Sequence, residues 1–128
     1  MNMTPQNQSD RTVGQYMTGD LIALRTVDSV ARARQILVDN ALHALPIVDG
    51  ENTVGVVTLA DCEGRSGLLA DVTDRPPVTV TTATSVVDAA QLMRAEGVHH
   101  LLVTEDAPGA NKLVGIISSL DLLKTITD

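Results

Sequence analysis

The segment TVDSVARARQILVDNALHAL, residues 26–45, is followed by a close copy of itself, TATSVVDAAQLMRAEGVHHL, residues 82–101, at a constant offset of 56. A second pair, GVVTLAD at 55–61 and GIISSLD at 115–121, repeats at an offset of 60, so the second copy carries four additional residues. They fall within DAPGANK, 106–112, whose Pro, Gly and Asn predict a surface turn. A duplicated unit of this size seldom buries its apolar face alone, so we expect the function where the two copies meet.

Each copy predicts the same order of elements, namely strand, helix, strand, strand, helix. The predicted strands are 21–25, 45–48 and 53–57 in the first copy and 77–81, 101–104 and 113–117 in the second. The first helix of each copy has two N-cap candidates, Asp28 or Ser29 and Thr84 or Ser85. It should end at Asn40–Ala41 in one copy and at Gly97 in the other. The closing helix is short after Leu59 and longer over residues 119–126.

A matching lead-in precedes each copy, at residues 13–18 and 69–74. The stretch EGRSG, 63–67, is the only plausible linker, and it is too short to separate independent domains. We therefore place the first motif at 11–65 and the second at 66–128, after a polar tail over residues 1–10 that we expect to be disordered.

Composition and charge exclude several functions. The 128 residues are 44% hydrophobic, which suffices for one compact domain or two interlocked subdomains. Tyr16 is the only aromatic residue, so there is no stacking platform for nucleic-acid bases. A net charge of −7 opposes binding to a phosphate backbone, which depends on Lys and Arg. We therefore expect no nucleic-acid partner.

The chain shows no signal for export or for a membrane. No stretch approaches the roughly 20 apolar residues of a spanning helix. The first ten residues contain no apolar run, and the single Cys62 can form no intrachain disulfide. The expected location is the cytoplasm.

Catalytic and metal-binding patterns are missing. The sequence contains no GxSxG, HExxH, CxxC, GxxxxGK or GxGxxG. Cys62 lies between Asp61 and Glu63, whose charges should raise its pKa and so oppose a thiolate nucleophile. Three histidines without a spacing signature do not predict a metal site. We expect no enzyme and no required cofactor.

The strongest functional signal is the pair Thr58-x-x-Asp61 and Ser118-x-x-Asp121, each directly after an apolar strand. One interpretation is a capping box, in which hydroxyl and carboxylate satisfy helix-start amides. The other is a ligand site, because a carboxylate there can accept the two vicinal hydroxyls of a ribose and the hydroxyl favours a phosphate.

His43 and His99 occupy equivalent positions before the second strand of each copy, and His100 adds another imidazole in the second. Such a histidine is most often structural. The alternative is that these side chains donate to a ligand phosphate.

At this point the chain resembles the cystathionine beta-synthase (CBS) domain family, and specifically a tandem pair called a Bateman module. The resemblance covers residues 13–126. The motifs are YMTGDLIAL (16–24), HALPIVD (43–49) and GVVTLAD (55–61), then RPPVTV (75–80), GVHHLLVTE (97–105) and GIISSLD (115–121). It implies an α/β (α+β) fold of two β-α-β-β-α motifs packed through their sheets with pseudo-twofold symmetry.

The resemblance also implies a function. Such pairs bind AMP, ADP, ATP or S-adenosylmethionine in two clefts and regulate other proteins. By resemblance, Asp61 and Asp121 would take the ribose hydroxyls, Thr58 and Ser118 would lie near ribose and phosphate, and His43, His99 and His100 would face the phosphates. Ala44 stands where a basic residue is frequent, which favours the second copy. We expect a homodimer that signals in trans to an unidentified protein partner. The alternative is a dimerisation scaffold without a nucleotide.

Overall fold

The computed structural model describes residues 10–73, 76–107 and 110–127. Of the predicted tail only residue 10 lies within this range, so the expected disorder of residues 1–9 lies outside it. The described chain forms two compact units. The first-repeat unit comprises the described residues of 20–77 and 106–113, and the second-repeat unit comprises 10–19, 78–105 and 114–127.

Eleven helices and strands follow one another in the described chain, and their order confirms the predicted repeat. They are α1 (Val13–Tyr16), β1 (Leu24–Arg25), α2 (Val30–Asp39), β2 (Ala44–Asp49), β3 (Asn52–Thr58), α3 (Leu59–Cys62), β4 (Thr79–Thr81), α4 (Val86–Glu96), β5 (His100–Ala107), β6 (Ala110–Ser118) and α5 (Ser119–Thr127). A 3-10 helix, Leu69–Asp71, lies between α3 and β4.

Two three-stranded sheets carry the fold, in the orders β1-β2-β3 and β4-β5-β6. In each sheet the first strand runs parallel to the second, since β1 pairs with β2 and β4 with β5 in that sense. Strands β2 and β3 form an antiparallel hairpin whose register pairs Ala44 with Thr58. This mixed architecture confirms the predicted α/β (α+β) fold class.

The predicted extents of the strands needed correction. Only Leu24 and Arg25 of the segment 21–25 are paired as a strand. In the second copy, β5 continues to Ala107 and β6 begins at Ala110, so the predicted turn over 106–112 was too long. The additional residues therefore lengthen two paired strands. Residues 108–109 lie outside the described chain.

Local signals at the helix ends were predicted well. Ser29 and Ser85 are the N-caps, and their hydroxyls accept from Arg32 N–H and Asp88 N–H, each at 3.0 Å. This decides between the two candidates in each copy. Helix α4 ends at Gly97 in the left-handed conformation, as its sequence predicted.

Each unit has its own apolar core. In the first-repeat unit β2, β3 and α2 enclose the buried residues Leu24, Val30, Ala33, Leu37, Leu45, Ile47, Val57, Cys62 and Leu69. In the second-repeat unit the buried residues are Val13, Val80, Ala89, Met93, Leu101, Val103 and Ile117. Along α4 the residues Val86, Ala89 and Met93 are buried, whereas Ala90 is exposed.

The two lead-ins are exchanged between the repeats. Val13 precedes the first repeat but lies fully buried in the core of the second-repeat unit. Leu69 precedes the second repeat but lies fully buried in the core of the first-repeat unit. The backbone contacts match at the offset of 56: Val13 N–H donates to Thr84 C=O (2.8 Å) and Leu69 N–H to Asp28 C=O (2.8 Å). The proposed motif boundaries follow the sequence repeats and stay a prediction, whereas each compact unit combines one repeat with the other's lead-in.

A difference between the repeats predicts a stabilising substitution. Ala41 has φ +52°, whereas its counterpart Gly97 has φ +67°. Relief of left-handed strain, about 1–2 kcal/mol, exceeds the unfolded-chain entropy that glycine adds, about 0.4–1 kcal/mol. We expect Ala41→Gly to raise the free energy of unfolding by about 0.5–1 kcal/mol. Gly97→Ala is the reciprocal control and should lower it by a similar amount in urea titrations. Changes of the same sign in the free energy of unfolding of the two variants would contradict this account.

Candidate functional site

The Thr58–Asp61 pair lies at the turn from β3 to α3. Thr58 N–H donates to Asp61 Oδ2 (2.8 Å), and Asp61 N–H donates to Thr58 Oγ1 (3.3 Å). This is a complete capping box, so the structural interpretation of the pattern is correct. Both side chains are half-buried.

The Ser118–Asp121 pair repeats this geometry between β6 and α5. Ser118 N–H donates to Asp121 Oδ2 (2.9 Å), and Asp121 N–H donates to Ser118 Oγ (3.1 Å). Asp121 Oδ1 accepts from the ammonium of Lys124 at 3.4 Å, but the lysine side chain is 67% exposed, so this ion pair contributes little. In both repeats the cap therefore engages Oδ2 of the carboxylate, and Oδ1 lies outside the capping hydrogen bonds.

The histidines lie beside these pairs within their own units. His43 directly precedes β2, whose first residue Ala44 pairs with Thr58. His99 directly precedes β5, and its carbonyl accepts from Ser119 N–H (2.9 Å), which joins the start of β5 to the start of α5. His43 and His99 are exposed, and His100 is half-buried. The backbone thus places His43 next to the residue that pairs with Thr58, and His99 against Ser119, the residue that follows Ser118.

Cys62 is an unsuitable nucleophile. Its side chain is fully buried and belongs to the core of the first-repeat unit. Burial raises the pKa of the Cys62 thiol, and the nearby Asp61 carboxylate raises it further, whereas the Arg34 guanidinium lowers it. The predicted direction was right, but burial is a larger cause than the acidic neighbours.

Two further absences concern the described residues alone. No group of three His, Cys, Asp or Glu side chains in that part of the chain could hold a metal ion. Among the same residues, every helix is too short or too polar to cross a membrane.

Sequence reasoning missed an apolar groove of about 620 Å³ between α4 and α5. Its apolar walls include Val86, Ala90, Met93, Leu122, Leu123 and Ile126. Leu123 and Ile126 are 56% and 67% exposed, and their helical spacing was the available signal. At the position equivalent to Ala90 the first repeat has Arg34, whose guanidinium reaches from α2 to the carbonyls of Cys62 and Arg65. The two repeats therefore differ in the residue that this helix position presents.

Comparisons with known proteins agree with the fold described above. The sequence model of the CBS domain matches residues 13–63 and 69–128. YlbB of Bacillus subtilis, an uncharacterised protein, is 32% identical over 116 residues, which are 83% of this chain and 76% of YlbB. The inosine-5'-monophosphate dehydrogenase of Korarchaeum cryptofilum is 26% identical over 110 residues, 84% of this chain but 22% of the dehydrogenase. The chain thus spans about a fifth of that relative's length.

Solved structures of CBS pairs have the same fold. CBSX2 in complex with AMP is 27% identical, with a TM-score of 0.77 over 91% of this chain and 96% of its own. The CBS pair of protein MJ0100, solved with 5'-methylthioadenosine and S-adenosylmethionine, is 22% identical, with a TM-score of 0.81 over 91% and 95%. The CBS domain of a bacterial CNNM/CorC magnesium transporter with ATP is 19% identical, with a TM-score of 0.78 over 94% and 89%.

Proposed function

The chain belongs to the CBS domain family, and on that basis we propose that it is a non-catalytic regulatory module that binds an adenosine-containing ligand. The candidate ligands are AMP, ADP, ATP and S-adenosylmethionine. The observation that carries the proposal is the duplicated cap, in which Oδ2 of Asp61 and of Asp121 caps the helix and Oδ1 lies outside the capping hydrogen bonds. The ligands of CBSX2, MJ0100 and the CNNM/CorC domain support an adenosyl group.

Each residue of the site has a chemical role in this proposal. The Oδ1 atoms of Asp61 and Asp121 accept the two ribose hydroxyls, because a charged acceptor makes stronger hydrogen bonds than a neutral one. Thr58 and Ser118 lie at the ribose and phosphate side. His43, His99 and His100 donate to phosphate, most strongly when they are protonated. Because Ala44 replaces the second imidazole in the first repeat, the Ser118–Asp121 set is the stronger of the two.

Signalling in trans follows from differential binding. A ligand can shift a conformational or oligomeric equilibrium only as far as its affinities for the two states differ. We assign the output to a homodimer in the cytoplasm that contacts a separate protein partner. The exposed Leu123 and Ile126 beside the α4–α5 groove support a dimer interface on these outer helices.

A scaffold without a nucleotide is the second candidate. Both caps are fully formed, so Thr58, Asp61, Ser118 and Asp121 have a structural role at the starts of α3 and α5. In that case the homodimer would be the functional product and the carboxylates would only hold the starts of α3 and α5.

A thermal-shift panel of AMP, ADP, ATP and S-adenosylmethionine tests the proposed function. A ligand at 100 times its Kd stabilises a folded protein by about 2.7 kcal/mol. We expect one member of the panel to raise Tm by roughly 10 °C in a chain of this size. Guanosine analogues at the same concentration are the control for nonspecific effects of phosphate. Unchanged Tm with every ligand at millimolar concentration would favour the scaffold.

A further inference from the structure

Residues 11–18, which contain the first lead-in, form a strap along the second-repeat unit. Five backbone hydrogen bonds attach it: Val86 N–H to Arg11 C=O (2.9 Å), Val13 N–H to Thr84 C=O (2.8 Å), Gly14 N–H to Thr82 C=O (3.0 Å), Thr18 N–H to Ile116 C=O (2.9 Å) and Ile116 N–H to Thr18 C=O (3.0 Å). The Arg11 guanidinium also donates to the carbonyl of Thr125 near the end of α5. The strap therefore connects the start of α4, the end of α5 and strand β6.

The strap covers the outer edge of β6. Strand β6 is the last strand of its sheet, and the antiparallel bridge between Thr18 and Ile116 pairs its open side. The approach is so close at Gly115 that a Cβ there would lie 2.5 Å from Met17 Sδ. That Cβ would also lie 3.0 Å from the Thr18 carbonyl oxygen, so glycine at this position favours the close approach of the two backbones.

This contact lies beside the candidate ligand site. Ile116 is two residues before Ser118, the last residue of β6 and the hydroxyl partner of Asp121. A ligand that holds Ser118 and Asp121 fixes the end of the strand on which the strap docks. Docking of the strap and occupancy of the site are thus linked through three residues of one strand.

The strap contributes few fully buried apolar side chains to its unit. Helix α1 has four residues, and Val13 is its one fully buried side chain, with Tyr16 and Met17 half-buried. Segments with few buried apolar contacts open locally at a small fraction of the global unfolding free energy. The strap supplies no strand of this unit's three-stranded sheet and neither of its long helices.

We propose that the strap is a latch controlled by the Ser118–Asp121 site, docked when an adenosyl ligand is bound and released when the site is empty. This inference rests on the proposed function and adds its conformational output. Release exposes the edge of β6 and the core residues that Val13 covers. Linkage is reciprocal, so a change that favours release of the strap must lower the affinity for the ligand by the same factor.

Limited trypsin digestion of the full chain reports the position of the strap. The Arg11 side chain is 8% exposed and bonded to Thr125, so cleavage after Arg11 requires the strap to undock. Cleavage of a locally opening segment follows the population of the open state. If docking of the strap is completely coupled to ligand binding, the panel member that raises Tm, at 100 times its Kd, should slow cleavage after Arg11 about 100-fold. Cleavage after the exposed Arg25, in the other unit, is the internal control and should not change.

Substitution of Thr18 provides the matched pair of variants. Thr18→Pro removes the N–H that donates to Ile116, and Met17 already has φ −68° and ψ 157°, which suits a residue before proline. We expect cleavage after Arg11 to accelerate about tenfold and the ligand affinity to fall by the same factor. Thr18→Ala keeps the N–H and should leave both quantities unchanged.

The outcomes separate the latch from the function on which it rests. A thermal shift with ligand but an unchanged rate of cleavage after Arg11 overturns the latch and leaves the nucleotide sensor standing. Faster cleavage in Thr18→Pro with unchanged affinity also overturns it. If no adenosyl ligand shifts Tm, the proposed function fails and the latch fails with it.

Discussion

Asp121→Asn abolishes ligand-induced stabilisation and retains most of the stability of the unliganded protein. The neutral side chain can still accept from Ser118 N–H, so the basal change should stay within about 0.5–2 kcal/mol, the value of a lost cap. The ribose hydroxyls, however, lose their charged acceptor. Hydrogen bonds to charged groups contribute about 1.5–3 kcal/mol each, so two of them correspond to at least a 100-fold loss of affinity. Isothermal titration and thermal shift measure the two effects separately.

Asp88→Asn is the matched control for this variant. Asp88 is the third residue of α4, and its N–H donates to the capping Ser85 hydroxyl at 3.0 Å, as Asp121 N–H does to Ser118. The chemical change is the same and the site is not touched, so the affinity should be unaltered. Asp61→Asn, tested alongside, identifies whether the first set of residues is also occupied. Normal ligand binding by Asp121→Asn would assign the carboxylate to capping alone.

Leu69→Ala should destabilise the protein by about 2–5 kcal/mol, the range for truncation of a fully buried leucine. Leu69 is 0% exposed and lies in the core of the first-repeat unit, although it belongs to the lead-in of the second repeat. Urea denaturation at an unchanged m-value measures the loss.

The neighbouring leucine supplies the control. Leu68 is 46% exposed, so Leu68→Ala should change stability by no more than about 0.5 kcal/mol. If the two variants behave alike, Leu69 is not a core residue and the lead-ins are not exchanged as described.

Features set by neighbouring residues were predictable from the sequence. The serine caps of α2 and α4, the glycine end of α4 and the hairpin around Gly50 depend on hydrogen bonds and backbone preferences within a few residues. The family and the fold class were also identified correctly, because motifs that recur twice in the same order are specific.

The exchange of lead-ins was not predictable from the same sequence. Both repeats offer an apolar core and equivalent carbonyls, Thr84 in one and Asp28 in the other, so Val13 fits the contact pattern of either. The geometry of the connections between elements decides which of the two cores Val13 enters. The sequence pattern carries no information about that geometry. The lengths of β5 and β6 were missed for a related reason, since pairing with a neighbouring strand overrode the turn residues.

The candidate site also combines features that the sequence predicts with features that it does not. Capping by Thr58, Asp61, Ser118 and Asp121 followed from spacing alone, and its geometry is confirmed. Ligand roles for these residues and for the histidines stay predictions, because a carboxylate that caps a helix has the same local geometry with and without a ribose beside it. The α4–α5 groove involves differences between the repeats, which include alanine or arginine at positions 90 and 34 and the greater length of α5 than of α3.

The exchanged lead-ins also constrain the ancestry of a duplicated chain. Consider a gene that encoded only one repeat. The residue equivalent to Val13 or Leu69 would then find no core of a second repeat within its own polypeptide. Such a protein completes its core only as a pair of chains that donate their first residues to each other. Fusion of two copies then converts an intermolecular exchange into an intramolecular one without creating a new contact. The tandem gene thereby removes the dependence of folding on protein concentration.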